Sequence, residues 1–285
     1  MADNEARRFL VIGLPDMGKT TFLAALWHVV ESKEIGSALQ LVNVEGNREY
    51  IGKLREKWIA CEALGRTAQG QISVIQMRLR AAADGAEANL ALPDVSGETF
   101  RTQLRDRAWT PEYAQLAAGV AGALVFIHPD EVTEPVRIEE AAPLAAAIAP
   151  EGTAEGAGAA KAWTHDDIPT QVNIVELLQF HRARTPGPFS VGIVVSAWDL
   201  VAAQGKTPAE WLDATLPLLG QFLRSNVDEL PFKVFGVSAQ GGELNAVDRL
   251  MAAAKPSERI QVADDREISH DITRPISWLL KTQTN

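Results

Sequence analysis

The sequence predicts an α/β protein, a three-layer sandwich on a mostly parallel sheet with one antiparallel hairpin. Three observations carry this expectation. Short apolar runs at residues 9–12, 122–127, 189–195 and 232–237 have the continuous character of strands buried on both faces. Segments with helical spacing lie between them, the alternation that parallel strands need for their crossovers. The first run ends in Gly13-Leu14-Pro15-Asp16-Met17-Gly18-Lys19-Thr20, a complete G-x-x-x-x-G-K-T loop, and helical character continues from Thr21. Strand, glycine loop and helix N-terminus are the context in which this pattern cradles phosphates.

Taken in order, residues 7–13 are the expected first strand and 18–33 the following helix. A second short apolar run covers 39–44. Between 47 and 63, Tyr50, Ile51, Leu54, Trp58 and Ile59 recur close to helical spacing, and a polar loop follows at 65–70. Ile75, Met77 and Leu79 alternate with Gln76, Arg78 and Arg80, the period of a half-exposed strand. Ala83-Asp84-Gly85 supplies turn chemistry, and the chain returns through 89–92 to Pro93-Asp94. Half of residues 141–160 are alanine and the rest mostly Gly, Pro and acidic, so 131–168 reads as a flexible insertion. A helix is expected at 172–184. Thr207-Pro208-Ala209-Glu210 combines a capping box with proline at the first helical position, opening a helix toward residue 223 that Pro217 should kink or divide. A last helix is expected at 277–281, and no internal repeat is visible. The chain therefore reads as one domain over 1–285, with insertions at 34–66 and 131–168.

Charge and cysteine content narrow the function classes. With 27 basic against 37 acidic residues the net charge is −10, and no local basic patch offsets it. Such a surface repels phosphate backbones, so nucleic acid is not an expected partner. Cys61 is the single cysteine, which excludes an intrachain disulfide and a cysteine-based zinc site. The five histidines lack metal-ligand spacing. No apolar stretch approaches the ~20 residues needed to span a bilayer, and the first residues lack a signal-peptide pattern. A cytoplasmic location is expected.

Three further segments give the phosphate loop its chemistry. In that loop, Gly13, Asp16, Met17, Gly18, Lys19, Thr20 and Thr21 are the expected nucleotide-binding residues. Their N–H groups face phosphate oxygens, Lys19 reaches the β- and γ-phosphates, and the Thr20 hydroxyl is offered to Mg²⁺. Asp94-Val95-Ser96-Gly97-Glu98 follows the hairpin. There Asp94 is a candidate Mg²⁺ residue acting through water, Gly97 a γ-phosphate donor, and Glu98 the group that orients attacking water. Ser196-Ala197-Trp198-Asp199 follows one strand and Ser238-Ala239-Gln240 another. A carboxylate at 199 can accept from guanine N1–H and its exocyclic amine, while backbone N–H groups after Ser238 can donate to the purine O6. Either tetrapeptide alone is an ordinary strand-to-loop transition; their order and spacing make the case.

With these motifs in this order, the sequence resembles the Ras-like, TRAFAC-class P-loop GTPases. Details around Gly18–Thr21, the extra strand and helix before Thr67, and Pro275-Ile276-Ser277-Trp278 look like the bacterial double-GTPase group. The resemblance implies a P-loop NTPase sandwich of Ras-like topology with insertions, binding GTP or GDP with Mg²⁺ and hydrolysing GTP slowly. It implies that Thr67 is a switch threonine closing on Mg²⁺ and γ-phosphate, that 97–110 form a second switch, and that Lys19, Glu98 and Thr67 carry the catalysis. Unidentified effector or regulator proteins are the implied partners, with a homodimer as a further possibility and a conflict or signalling system as the setting. Departures leave alternatives open. Ser196 and Ala197 replace Asn and Lys of the usual guanine motif, Glu98 stands where many relatives carry Gln, and Pro15 where several carry Gly. An ATPase on the same loop, or a nucleotide-locked scaffold without turnover, is compatible with those changes. Trp198 either packs near the base or serves the core.

Overall fold

The computed structural model describes residues 6–65, 73–94, 102, 103, 105–135, 164 and 167–282, with Ser73 and Asp94 described by backbone alone. Expectations placed on Thr67, Gly97, Glu98 and most of 131–168 lie outside these residues.

Among the described residues, a nine-stranded sheet organises the fold. Strands β1 (Arg7–Ile12), β2 (Leu39–Glu45), β3 (Ser73–Ala81), β4 (Glu87–Asp94), β5 (Val120–Ile127), β6 (Ser190–Ser196), β7 (Phe232–Ser238), β8 (Gln261–Asp264) and β9 (Glu267–Ser269) lie in the order β2-β3-β4-β1-β5-β6-β7-β8-β9. The helices are α1 (Lys19–Ser32), α2 (Arg48–Ile59), α3 (Pro111–Ala117), α4 (Thr170–Arg182), α5 (Pro208–Thr215), α6 (Pro217–Ser225), α7 (Val247–Met251) and α8 (Arg274–Thr282).

The central strands β4, β1, β5, β6 and β7 pair in parallel, and the apolar runs are buried on both faces as their composition requires. Their period of two sorts them cleanly. Phe9, Val11, Leu124 and Phe126 enter one core with α1, α2 and α8. Leu10, Ile12, Val125 and Ile127 enter a second core with α3, α4, α5 and α6.

The expectation of one antiparallel hairpin needs correction. Among the described residues, four of the eight strand pairings are antiparallel: β2 with β3, β3 with β4, β7 with β8 and β8 with β9. The short run at 39–44 is an edge strand added outside the β3–β4 hairpin. At the other edge, the chain from Ser238 to Gln261 stays at one end of the sheet, because those two residues are register partners. Strand β8 must therefore run backwards. The tight turn into β9 carries Asp265 with a left-handed φ of 51°.

Local signals behave as their chemistry dictates. Thr207 and Glu210 form a reciprocal capping box at the start of α5, and Pro217 divides the expected long helix into α5 and α6. Helix α2 ends earlier than its apolar spacing suggests, with Cys61 just beyond it at φ 57°. This helix lies over α1, so α1 is buried without interruption from Phe22 to Val30. The segment between α1 and β2 is fixed by Glu34, which accepts from His28 Nε2 at 3.0 Å and Ser257 Oγ at 2.8 Å. Arg55 donates to His28 Nδ1 at 3.1 Å, so the ring is neutral with its proton on Nε2. Thr133 and Thr170 exchange hydrogen bonds of 2.9 and 3.0 Å, bringing the two flanks of the alanine-rich segment together.

His181 of α4 sits in the second core, stacked on Phe189 and sharing a 3.0 Å hydrogen bond with the Tyr113 hydroxyl. Burial, with the Arg184 charge nearby, lowers its pKa to about 3. An unfolded imidazole takes up a proton near 6.5. Stability is therefore intact above that value and is lost as pH falls, by about 1.4 kcal/mol per unit until about pH 3. Between pH 6.5 and 5, His181 alone should cost about 2 kcal/mol. Urea unfolding at several pH values should show this slope reduced in His181→Leu, whatever that variant's stability at pH 7; an unchanged slope contradicts the assignment.

Candidate nucleotide site

At the C-terminal end of β1 the chain turns sharply into α1. Gly13 has φ 151°, and a Cβ there would meet the Phe126 carbonyl at 3.0 Å. Asp16 is left-handed at φ 58°, and Gly18 caps α1 at φ 81°. Helix α1 has no side-chain cap and no acidic residue in its first turn. Its first N–H groups, with the positive end of the helix dipole, are thus available to an anion. Lys19 folds over this loop, donating to the carbonyls of Gly13 at 2.8 Å and Leu14. Met17 is buried and accepts through sulfur from the His128 N–H at 3.1 Å, so its contribution to a ligand is limited to its backbone.

Beside the loop lies a cavity of about 460 Å³. Six of the residues singled out from sequence line it: Gly18, Thr21, Ser196, Asp199, Ser238 and Ala239. They come from three strand ends, β1, β6 and β7, because parallel strands deliver their C-termini to the same edge. Lys19 and Thr20 open α1 immediately adjacent. The register of β1 with β4 advances from Leu10 opposite Ala91, so Asp94 ends β4 level with the loop.

Several contacts lock this rim. Ser196 donates from Oγ to the Ile127 carbonyl at 3.2 Å, and a Cβ on Gly18 would come within 3.0 Å of the Ser196 side chain. The start of α1 and the end of β6 are thus packed closely together. Ser238 Oγ donates to Asp199 Oδ1, which orients the carboxylate. Ala197 takes a left-handed conformation, φ 45° and ψ 44°, and so sends its two neighbours in different directions. Asp199 faces the cavity. Trp198 turns into the second core and lies flat where a Cβ of Gly236 would be, only 2.3 Å from its ring. Of the two readings for Trp198, the core one holds.

Other lining residues carry no motif. Leu200 and Leu244, 36% and 38% exposed, put apolar surface at the mouth. Glu62 and Leu64 arrive from the segment after α2, and His128 and Asp130 from the end of β5. With Asp199 and Glu243, these give the cavity four carboxylates, a poor setting for phosphates but a good one for a base edge rich in N–H donors. Leu200 directly follows Asp199 and was within reach of sequence reasoning. Glu62 and Leu64 were not, because only tertiary contact brings them here.

A site for Mg²⁺ needs hard oxygen ligands, few of them from protein. Among the described residues no group of three or more His, Cys, Asp or Glu could hold a metal. The Thr20 hydroxyl on the first turn of α1, with a carboxylate residue ending the neighbouring strand at Asp94, is a donor set that fits this ion when phosphate oxygens and water complete its shell.

A family model described as Double-GTPase 1 matches residues 10–279. The chain belongs to the Double-GTPase 1 family. By family it is a GTPase-type, GTP-binding protein. No curated protein matches this Double-GTPase 1 chain. Among solved structures, it is similar to a chain of the signal recognition particle receptor SRb-GTP/SRX complex from Chaetomium thermophilum. That similarity has 12% identity, covers 82% of this chain and 91% of that one, and has a TM-score of 0.37. Among the described residues, no helix is long and apolar enough to cross a membrane.

Gly18 and Gly85 provide a matched test. Both need positive φ, but a Cβ at Gly85 meets nothing within 4 Å, whereas at Gly18 it meets Ser196. Alanine at either position should cost about 1 kcal/mol from left-handed strain. Only Gly18→Ala should also weaken binding of a fluorescent guanine nucleotide, by tenfold or more on the order of one lost charge-assisted contact. Thermal unfolding with nucleotide titration of both variants checks this, and equal affinities would refute it.

Proposed function

We propose that this protein binds Mg²⁺–GTP, hydrolyses it slowly and acts as a nucleotide-controlled switch for partner proteins, in a bacterial conflict or signalling system. The observation that carries the reading is the single cavity shared by the end of the phosphate loop and the two purine-reading loops. No one motif would require that meeting. The uncapped N-terminus of α1 supports a phosphate site at one end. The Asp199 carboxylate, oriented by Ser238, supports a guanine edge at the other.

In this reading the Lys19 ammonium exchanges the Gly13 and Leu14 carbonyls for β- and γ-phosphate oxygens, where it offsets charge that builds up during transfer. The backbone N–H groups of 16–21 hold the phosphates in line. Thr20 and Asp94 would hold Mg²⁺, with Thr67 joining when GTP is bound; the ion would supply neutralisation of phosphate charge. Gly97 donates to the γ-phosphate, and the Glu98 carboxylate accepts a hydrogen bond from water and orients it. A carboxylate beside the γ-phosphate adds like charge, which is the physical reason to expect slow turnover. Asp199 accepts from guanine N1–H and the 2-amine, while N–H groups at Ala239 and Gln240 donate to O6. Leu200 and Leu244 take the part of the missing lysine stem, covering apolar faces of the base.

Three measurements test this reading. Lys19→Ala should weaken triphosphate binding on the order of 100-fold, the effect of removing a charge from a phosphate contact; equal affinity with and without the ammonium contradicts the site. Asp199→Asn should erase most of the preference for GTP over ATP and improve binding of xanthosine triphosphate, whose C2 oxygen accepts from the new amide; unchanged discrimination removes Asp199 from base reading. Single-turnover phosphate release from wild type and Glu98→Gln tests hydrolysis, and its complete absence in wild type would leave a binding switch without turnover.

A further inference from the structure

Helix α2 belongs to none of the nucleotide motifs, yet its last turn is joined to one of them. Trp58, fully buried, donates from Nε1 to the Ala239 carbonyl at 3.0 Å across 181 residues of sequence. Gln240 returns a bond, donating from Nε2 to the Trp58 carbonyl at 3.3 Å. Arg259 closes the joint. It donates to the same carbonyl at 2.8 Å and to Ile59 at 3.2 Å, and its guanidinium lies 4.5 Å over the Trp58 ring. Gly241 packs so closely on the Arg259 backbone that a Cβ would stand 2.3 Å from its carbonyl.

We propose that Trp58 is a positioning residue for purine selection, presetting the 239–240 peptide to read the base O6. The proposal rests on the guanine reading above. In a trans peptide the C=O and the following N–H point to opposite sides. Holding the Ala239 carbonyl against Trp58, outside the cavity, therefore fixes the Gln240 N–H on the opposite side, where Ala239 and Gln240 line the cavity. Without the indole N–H, the Ala239 carbonyl has lost the partner that keeps it there. The peptide is then free to rotate toward another donor, and the O6 donor leaves with it. The segment that follows α2 brings Glu62 and Leu64 to the cavity wall, so this stretch of chain meets the site at a second place.

The test compares two nucleotides in two variants. Trp58→Phe keeps a ring under Arg259 and loses the N–H. Benzothienylalanine at position 58 keeps the whole bicyclic shape and loses only the N–H, and serves if the phenylalanine variant does not fold. Each is titrated with GTP and with 2-aminopurine riboside triphosphate, which has no oxygen at C6. Affinity for GTP should fall about tenfold relative to wild type, equivalent to about 1.4 kcal/mol, while affinity for the 2-aminopurine nucleotide should stay within about twofold. Equal loss for both nucleotides would show a merely structural role and overturn the proposal, as would no loss for either. Wild type that binds GTP no better than ATP would instead bring down the guanine reading itself, and the Trp58 role with it.

Discussion

Helix α1 has no solvent face along most of its length, and the nucleotide site depends on that burial. From Phe22 to Val30 it is enclosed by the sheet on one side and by α2 on the other. A helix held on two sides cannot shift along its axis without disturbing close-packed side chains in both directions. Its N-terminus is therefore held at one place beside the ends of β1, β5 and β6. The contact of Gly18 with Ser196 follows from that placement, since it leaves room for no Cβ on the glycine. Anion binding by backbone N–H groups is sensitive to position at this scale, so the packing of α1 and the geometry of the phosphate loop are a single constraint. The segment from β2 to α2 belongs to it: by covering α1 it removes the solvent face that an ordinary surface helix would keep.

What could be read from the sequence divides according to the range of the forces involved. Local chemistry was legible: the Thr207–Glu210 capping box, the break at Pro217 and the turn at Asp84-Gly85 are set by residues a few positions apart. The buried parallel strands were legible because covering both faces imposes a continuous apolar run. The short β8–β9 pair was missed. Strands of four and three residues carry too little periodicity to register, and Asp265 in a left-handed turn gives no glycine signal. The candidate site shows the same division. Which loops meet follows from strand order, but the direction of each side chain does not. Trp198 and Asp199 are adjacent, and the left-handed twist at Ala197 sends one into the core and the other to the cavity. The joint between Trp58 and Ala239 is beyond any sequence pattern, because only the folded sheet brings its halves together.

The polarity of the cavity bears on how a chain with net charge −10 accommodates a highly anionic ligand. Its surface field opposes the approach of phosphates. Attraction must come from groups whose charge is local and oriented: the first-turn N–H groups of α1, the helix dipole and Lys19. Each acts within a few ångströms and is little affected by charges elsewhere. In the present arrangement Lys19 donates to two loop carbonyls, which keeps the ammonium at the loop. An ammonium held in this way can trade those bonds for stronger, charge-assisted ones to an ionised oxygen. Glu62, Asp130, Asp199 and Glu243 line the cavity. Carboxylates there disfavour a phosphate tail, while an edge bearing N–H donors is favoured. The oriented groups at the start of α1 and the carboxylates of the cavity thus divide the site electrostatically, one part favouring an anion and the other a group that bears N–H donors.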